Sequence, residues 1–344
     1  MGSLPEWNLG DLYPDMDGPE IARDIERAAN EAGAFEAQWK GRLAADAALP
    51  GGGELGAAII RYEAIEELIG RIVSYAGLLY AGDTADPKRA KFYGDVQERM
   101  TDASAHLIFF ALELNRIEDD VLERAISADP TLTHYRPWLE DLRKDKPYQL
   151  EDRVEQLFHE KSVTARGAWN RLFDETMTAL RFTVDGAERP LEPTLTLLQD
   201  PDQETRRKAA EALAETFSAN LRIFTLVTNT LAKDKEISDR WRGFADIADS
   251  RHLANRVERE VVEALVEAVR QAFPRLSHRY YALKAKWLGM DVLNHWDRNA
   301  PLPETPQAVI PWEEARETVL SAYGGFAREM ADIAGRFFDG NWID

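Results

Sequence analysis

From Pro19 onward, apolar residues return every third or fourth position, so the chain is predicted to be helical nearly throughout. The first helix follows Asp17-Gly18, with Pro19 at a first helical position that tolerates proline, and runs to about Leu43. Leu49-Pro50-Gly51-Gly52-Gly53 reads as a loop. Leu55, Ile59, Tyr62, Ile65, Ile69, Ile72, Ala76 and Leu79 then form one unbroken apolar stripe. Asp86-Pro87 supplies an N-cap and first turn for the next stripe: Phe92, Val96, Met100, Ala103, Leu107, Phe110 and Leu114. Two long stripes joined by a short turn are expected to pack as an antiparallel pair.

Further helices are expected at 119–128, 150–159 and 163–180. The period then changes from helical to alternating. Phe182 and Val184 flank Thr183 just before Asp185-Gly186, a dipeptide suited to a two-residue hairpin turn, so one β-hairpin is predicted there. Asp200-Pro201-Asp202-Gln203 resembles a capping box opening a helix that ends near Gly243. Another runs from about Glu258 toward Leu288, and Pro274 must kink or split it. Positions 292–302 read as irregular, and two shorter helices start near Pro311 and Phe326. The expected fold is therefore mostly α: multi-helical, with long antiparallel helices and one small β-hairpin. Its expected division is an N-terminal helical domain at 1–190 and a second lobe at 191–344.

Composition narrows the function classes. The 344 residues include 14 Phe, 10 Tyr and 9 Trp, too aromatic for a disordered chain. A formal charge of −19 repels phosphate backbones and anionic lipid, which argues against nucleic acid and membrane as partners. Without cysteine there is no disulfide, thiolate ligand or cysteine nucleophile. No run of about 20 apolar residues marks a membrane span, and the start lacks the basic and apolar regions of a secretory signal, so the expected location is cytoplasmic.

Candidate chemistry is sparse. No two of His106, His134, His159, His252, His278 and His295 stand four apart, as a helical zinc site requires. His159-Glu160-Lys161-Ser162-Val163 begins like such a motif, but Val163 fills the second ligand position, and His159 reads as a solvated or capping residue. No nucleophile elbow, Walker loop or dinucleotide fingerprint occurs. The acid pairs Glu66-Glu67, Asp119-Asp120 and Glu313-Glu314 read as solvated helix faces. No catalytic or metal-ligating residue is assigned. The segment from Ser250 to Arg256 reads as a loop between long helices. Arg251 there could grip a peptide carboxylate, with His252 and Asn255 bonding peptide amides, all three bordering one concavity. Asp297 and Arg298 are weaker channel candidates, explicable by mutual ion pairing or capping. Trp241, Trp287 and Trp296 are expected in the core or at helix interfaces.

Several stretches, in order along nearly the whole chain, resemble the oligoendopeptidase F family. They are Trp7-Asn8-Leu9 with Asp11-Leu12-Tyr13, Phe158 to Ser162 with Trp169 to Phe173, and Asn229 to Lys235 with Arg240 to Phe244. The series continues through His278 to Tyr281, Lys284 to Leu288, Trp296-Asp297 with Ala300 to Leu302, and Phe337 to Asp339 with Trp342 to Asp344. The resemblance implies a helical, thimet-oligopeptidase-like zinc metallopeptidase that cuts short peptides inside a channel, using a His-Glu-x-x-His helix and a downstream glutamate. That motif is absent here, so the chain is expected to be the front portion alone, with an incomplete second lobe. It would form channel wall, lack zinc and be inactive by itself, its partners being oligopeptides and the missing catalytic portion. The alternative expectation is a self-sufficient helical peptide-binding or scaffold protein derived from that family.

Overall fold

The computed structural model describes residues 5–303 and 309–343; Asp344, the last residue of the resembling Trp342 stretch, lies outside them. The front part begins with α1 (Pro19–Trp39) and α2 (Leu43–Ala47), then a 3-10 turn at Pro50–Gly52 where a loop was expected. Gly52 has φ +76°, and a Cβ there would meet Leu132 at 2.9 Å, so this close approach requires glycine. The predicted pair follows as α3 (Leu55–Gly82) and α4 (Pro87–Ala105). Asp86 caps α4 by accepting from the backbone N–H groups of Lys88 and Arg89.

The second stripe is not one helix. His106 and Leu107 separate α4 from α5 (Ile108–Arg116). Ser104 donates its hydroxyl to the Met100 carbonyl at 2.8 Å, a back-bond that bends helices at this point. The bend places Phe109 and Phe110 against Phe35, with Phe110 also stacked on Tyr62 at 4.7 Å between centroids. With α6 (Asp119–Ala128), α7 (Pro130–His134) and α8 (Arg136–Arg143), these helices enclose one continuous core running from Tyr13 to Leu139.

Next come α9 (Asp152–Lys161), a π-helical turn at Val163–Gly167, and α10 (Ala168–Ala179). The predicted hairpin is β1 (Phe182–Val184) paired antiparallel with β2 (Ala187–Arg189), Val184 opposite Ala187. Asp185 and Gly186 both have positive φ, 52° and 78°, as a type I′ turn demands. After α11 (Leu191–Thr196), the helix predicted to end near Gly243 divides at Asn220 into α12 (Gln203–Ala219) and α13 (Leu221–Arg242). Asn220 turns its amide back onto the Thr216 carbonyl, and left-handed Gly243 ends α13. A small second cluster joins Leu180 and Phe182 to Leu213, with Phe217 and Phe224 packed on it, so the hairpin sits on α12.

The rest is α14 (Asp249–Ala254), α15 (Arg259–Ala272), α16 (Ser277–Trp287), α17 (Trp312–Phe326) and α18 (Arg328–Asp339). Pro274 splits α15 from α16 as expected. The irregular stretch is anchored by a buried ion pair: Arg206 on α12 donates to Asp297 at 2.8 Å, the two residues being 2% and 0% exposed. Two of the three tryptophans depart from expectation, with Trp241 54% and Trp287 46% exposed, because little packs over the helices that carry them. Past residue 245 the buried hydrophobic side chains among the described residues are Ala285 and Ala300 alone. No helix among the described residues is long and apolar enough to cross a membrane.

Candidate functional site

A concavity of about 780 Å³ opens where α13 and α14 face α5, α9 and the π-helical turn. Helix α13 lines it with Leu231, Asp234, Lys235, Ser238, Asp239 and Arg242, spaced three or four apart so that they share one face. Leu112, Asn115, Glu155, Arg166 and Asn170 from other elements also line it, as do Tyr148 and Phe244, whose rings stack at 4.1 Å.

Most of the charge on these walls is neutralised locally. Arg242 grips Glu155 through two hydrogen bonds of 2.7 and 2.8 Å, tying α13 to α9. Burial alone would raise the Glu155 carboxyl; the Arg242 guanidinium and the Leu150 N–H outweigh it and hold the carboxyl below its usual range. Lys235 pairs with Asp239 and donates to the Ile247 carbonyl at 2.8 Å and to Ser250 at 3.0 Å. Asp145 is held by Arg256 at 3.0 Å. Among the described residues, Arg166, Asp234 and Arg251 have no such partner.

The sequence candidates divide. The segment expected as a loop is helical at Asp249–Ala254, and a helix turns each successive side chain by about 100°. Ser250, Arg251, Leu253 and Ala254 consequently line the concavity, whereas His252 and Asn255 are absent from its lining. Only the first of the three expected ligands is brought there. Asp297 does not pair with Arg298: its carboxylate takes Arg206 and the side-chain and backbone N–H groups of Asn294 instead. Arg298 borders a separate, more apolar depression with Tyr281, Val292 and His295, and its carbonyl accepts from Lys284 at 2.7 Å.

Among the wall residues that the sequence does not single out as candidates are Arg166, Asp234 and Arg242. A signal existed for two, since the polar stripe of α13 repeats at helical spacing, but the apolar stripe of the same helix drew the reading instead.

His159 deserves a chemical test because its Nε2 lies 2.9 Å from the Ser104 hydroxyl, the distance of a nucleophile and base. The same nitrogen lies 3.1 Å from the Thr101 carbonyl, and Ser104 donates to Met100. Nε2 must therefore carry the proton and donate, so it cannot accept one from serine. This histidine clips α9 to α4. Metal chemistry meets a similar limit: no three His, Asp or Glu side chains among the described residues gather into a metal-holding group, so these residues do not fit a zinc ion.

Comparison with known proteins finds consistent similarity to one family. A family profile described as Oligopeptidase F matches residues 113–182, and one described as Peptidase family M3 matches 196–317. The oligopeptidase PepF of Bacillus subtilis is 24% identical over 350 residues, covering 98% of this chain and 50% of that protein. Group B oligopeptidase PepB of Streptococcus agalactiae is 24% identical over 283 residues, covering 80% of this chain and 46% of its own. The crystal structure of oligoendopeptidase-F from Enterococcus faecium superposes with a TM-score of 0.75 at 19% identity, covering 92% of this chain and 64% of that one. This chain thus spans about half the length of the curated relatives it matches.

Proposed function

The chain belongs to the oligoendopeptidase F family, and from that premise we propose that it is the front, non-catalytic portion of a cytoplasmic zinc metallo-oligopeptidase. In this reading residues 1–190 form a helical domain, and residues 191–344 begin the catalytic lobe. The concavity between α13, α14 and α9 is part of the channel wall that receives short peptides. Zinc and the residues that activate water come from the remaining portion of the same protein.

The observation that carries this reading is the uncovered apolar surface of α15 to α18. Val261, Leu265 and Val269 on α15 and Phe273 just after it are 55%, 63%, 43% and 43% exposed, and Phe326, Ile333 and Phe337 on α17 and α18 are also exposed. Burying such a side chain stabilises by roughly 1.5–3 kcal/mol, so seven of them left in water forgo on the order of 10 kcal/mol. That rivals the ~5–15 kcal/mol net stability of a typical domain. A catalytic portion packed over these helices would recover it.

The test is the coding sequence that follows residue 344. An in-frame His-Glu-x-x-His is expected, and the longer chain should cleave a quenched fluorescent oligopeptide in a chelator-sensitive way while the 344-residue chain does not. A longer chain without the motif, or with it and inactive, would refute the proposal and favour a helical peptide-binding scaffold.

A further inference from the structure

We propose that the concavity holds a recognition site for a carboxylate, formed by Arg166 and Arg251, both of which line it. The reasoning starts from charge. Eight Asp, Glu, Lys and Arg side chains line the space, four acidic and four basic: Asp145, Glu155, Asp234 and Asp239 against Arg166, Lys235, Arg242 and Arg251. Glu155 is matched by Arg242, Asp239 by Lys235, and Asp145 by Arg256 just outside. What remains uncommitted among the described residues is Arg166, Arg251 and Asp234, a net positive balance inside a protein of formal charge −19. Free anions are repelled by such a protein as a whole, so a local cationic pocket selects ligands that carry a single anionic group on a largely neutral body.

The backbone at both positions is built to present these two side chains. Arg166 belongs to the π-helical turn Val163–Gly167, where Ala165 departs from helical geometry at φ −100° and ψ −110°. Such turns concentrate at functional sites because they redirect a side chain without ending the helix. Arg251 projects from α14, whose position is fixed by the Lys235 bridge to Ser250 and the Ile247 carbonyl. The two guanidinium groups offer forked N–H donors for a carboxylate, and Leu112, Leu231 and Leu253 supply apolar lining for the rest of a ligand. The carboxylate requirement rests on the concavity alone. That the carboxylate is a peptide C-terminus rests on the function proposed above, and it would make these arginines readers of the peptide's end.

The experiment is binding to the full 344-residue chain, followed by fluorescence anisotropy. The probe is an alanine-rich hexapeptide labelled at its N-terminus, as free acid and as C-terminal amide, with N-acetylleucine and its amide as unlabelled competitors. The acid form is expected to bind at least about tenfold more tightly than the amide, the gap expected of a lost charge-assisted pair. Arg166→Gln and Arg251→Gln should each abolish most of that preference. Both side chains are exposed, so unchanged circular dichroism is expected of each variant. If N-acetylleucine binds and its amide does not, while both hexapeptides fail, the carboxylate site stands and the peptide reading falls. Equal affinity of acid and amide, no binding of any acid, or an undiminished preference in both variants would overturn the site itself.

Discussion

Asp297 is completely buried, and its oxygens are shared among Arg206, Gln203 and Asn294. Burial pushes this carboxyl up, but the Arg206 guanidinium and the Asn294 donors prevail and hold it below its ordinary range. Because its folded pKa lies below the unfolded one, its stabilisation is full above the ordinary aspartate value of about 3.9 and is lost as pH falls through the folded value. Asp297→Asn would leave Arg206 buried without a counter-charge, so an expected loss is about 3–5 kcal/mol at neutral pH. Urea denaturation of both proteins across acid and neutral pH checks this: the gap should narrow as the solution is acidified. A loss below about 0.5 kcal/mol at neutral pH would mean that the pair is incidental to the fold.

At the scale of elements, α3 and α15 make opposite cases. Both are helical by pattern, but α3 buries Leu55, Ile59, Ile65, Ile69 and Ile72, whereas α15 has no buried residue at all. An α-helix of 14 residues without tertiary packing is marginal in water. Backbone amides of α15 are therefore expected to exchange with deuterium far faster than those of α3 and α4. Mutational cost should divide in the same way. Ile72→Ala empties a fully buried position and is expected to cost about 2–5 kcal/mol, while Leu265→Ala should stay within about 0.5 kcal/mol. Comparable protection of α15 and α3, or a Leu265 loss equal to that at Ile72, would show that α15 is covered in solution.

For the whole molecule, the absence of any His-Glu-x-x-His motif sets the expectation for metal. After dialysis against trace zinc and a desalting step, elemental analysis should find well under one zinc per chain. One tightly held zinc would require ligands dispersed across the fold. The exposed apolar side chains of α15 to α18 should in addition bind an environment-sensitive dye in the native state, as apolar groups left in water do where they adjoin. A native protein that leaves the dye dark would point to a closed surface and to the scaffold alternative.

What the sequence determined by itself was whatever local physics enforces. The period of apolar residues set the helices, Pro274 divided α15 from α16, Gly243 ended α13, and Asp185-Gly186 closed the hairpin, each through a constraint spanning a few residues. Where local signals are equivocal, the sequence does not show the break: at the ends of α4 and α12, Ser104 and Asn220 bond back to the carbonyls of Met100 and Thr216, four residues earlier, which a hydrophobic stripe does not register. The site lay largely beyond this reach. Arg251 was legible as a candidate, but His252 and Asn255 were grouped with it on the premise of a loop, and helical geometry separates them. Of the two local explanations for Asp297, capping holds, since it accepts from the Asn294 backbone N–H, but pairing with Arg298 does not: its ionic partner Arg206 stands 91 positions away, as Glu155 and Arg242 stand 87 apart. Only the tertiary structure could decide those pairings, because a charge finds its partner in space, and the packing of distant helices decides which charges share a wall.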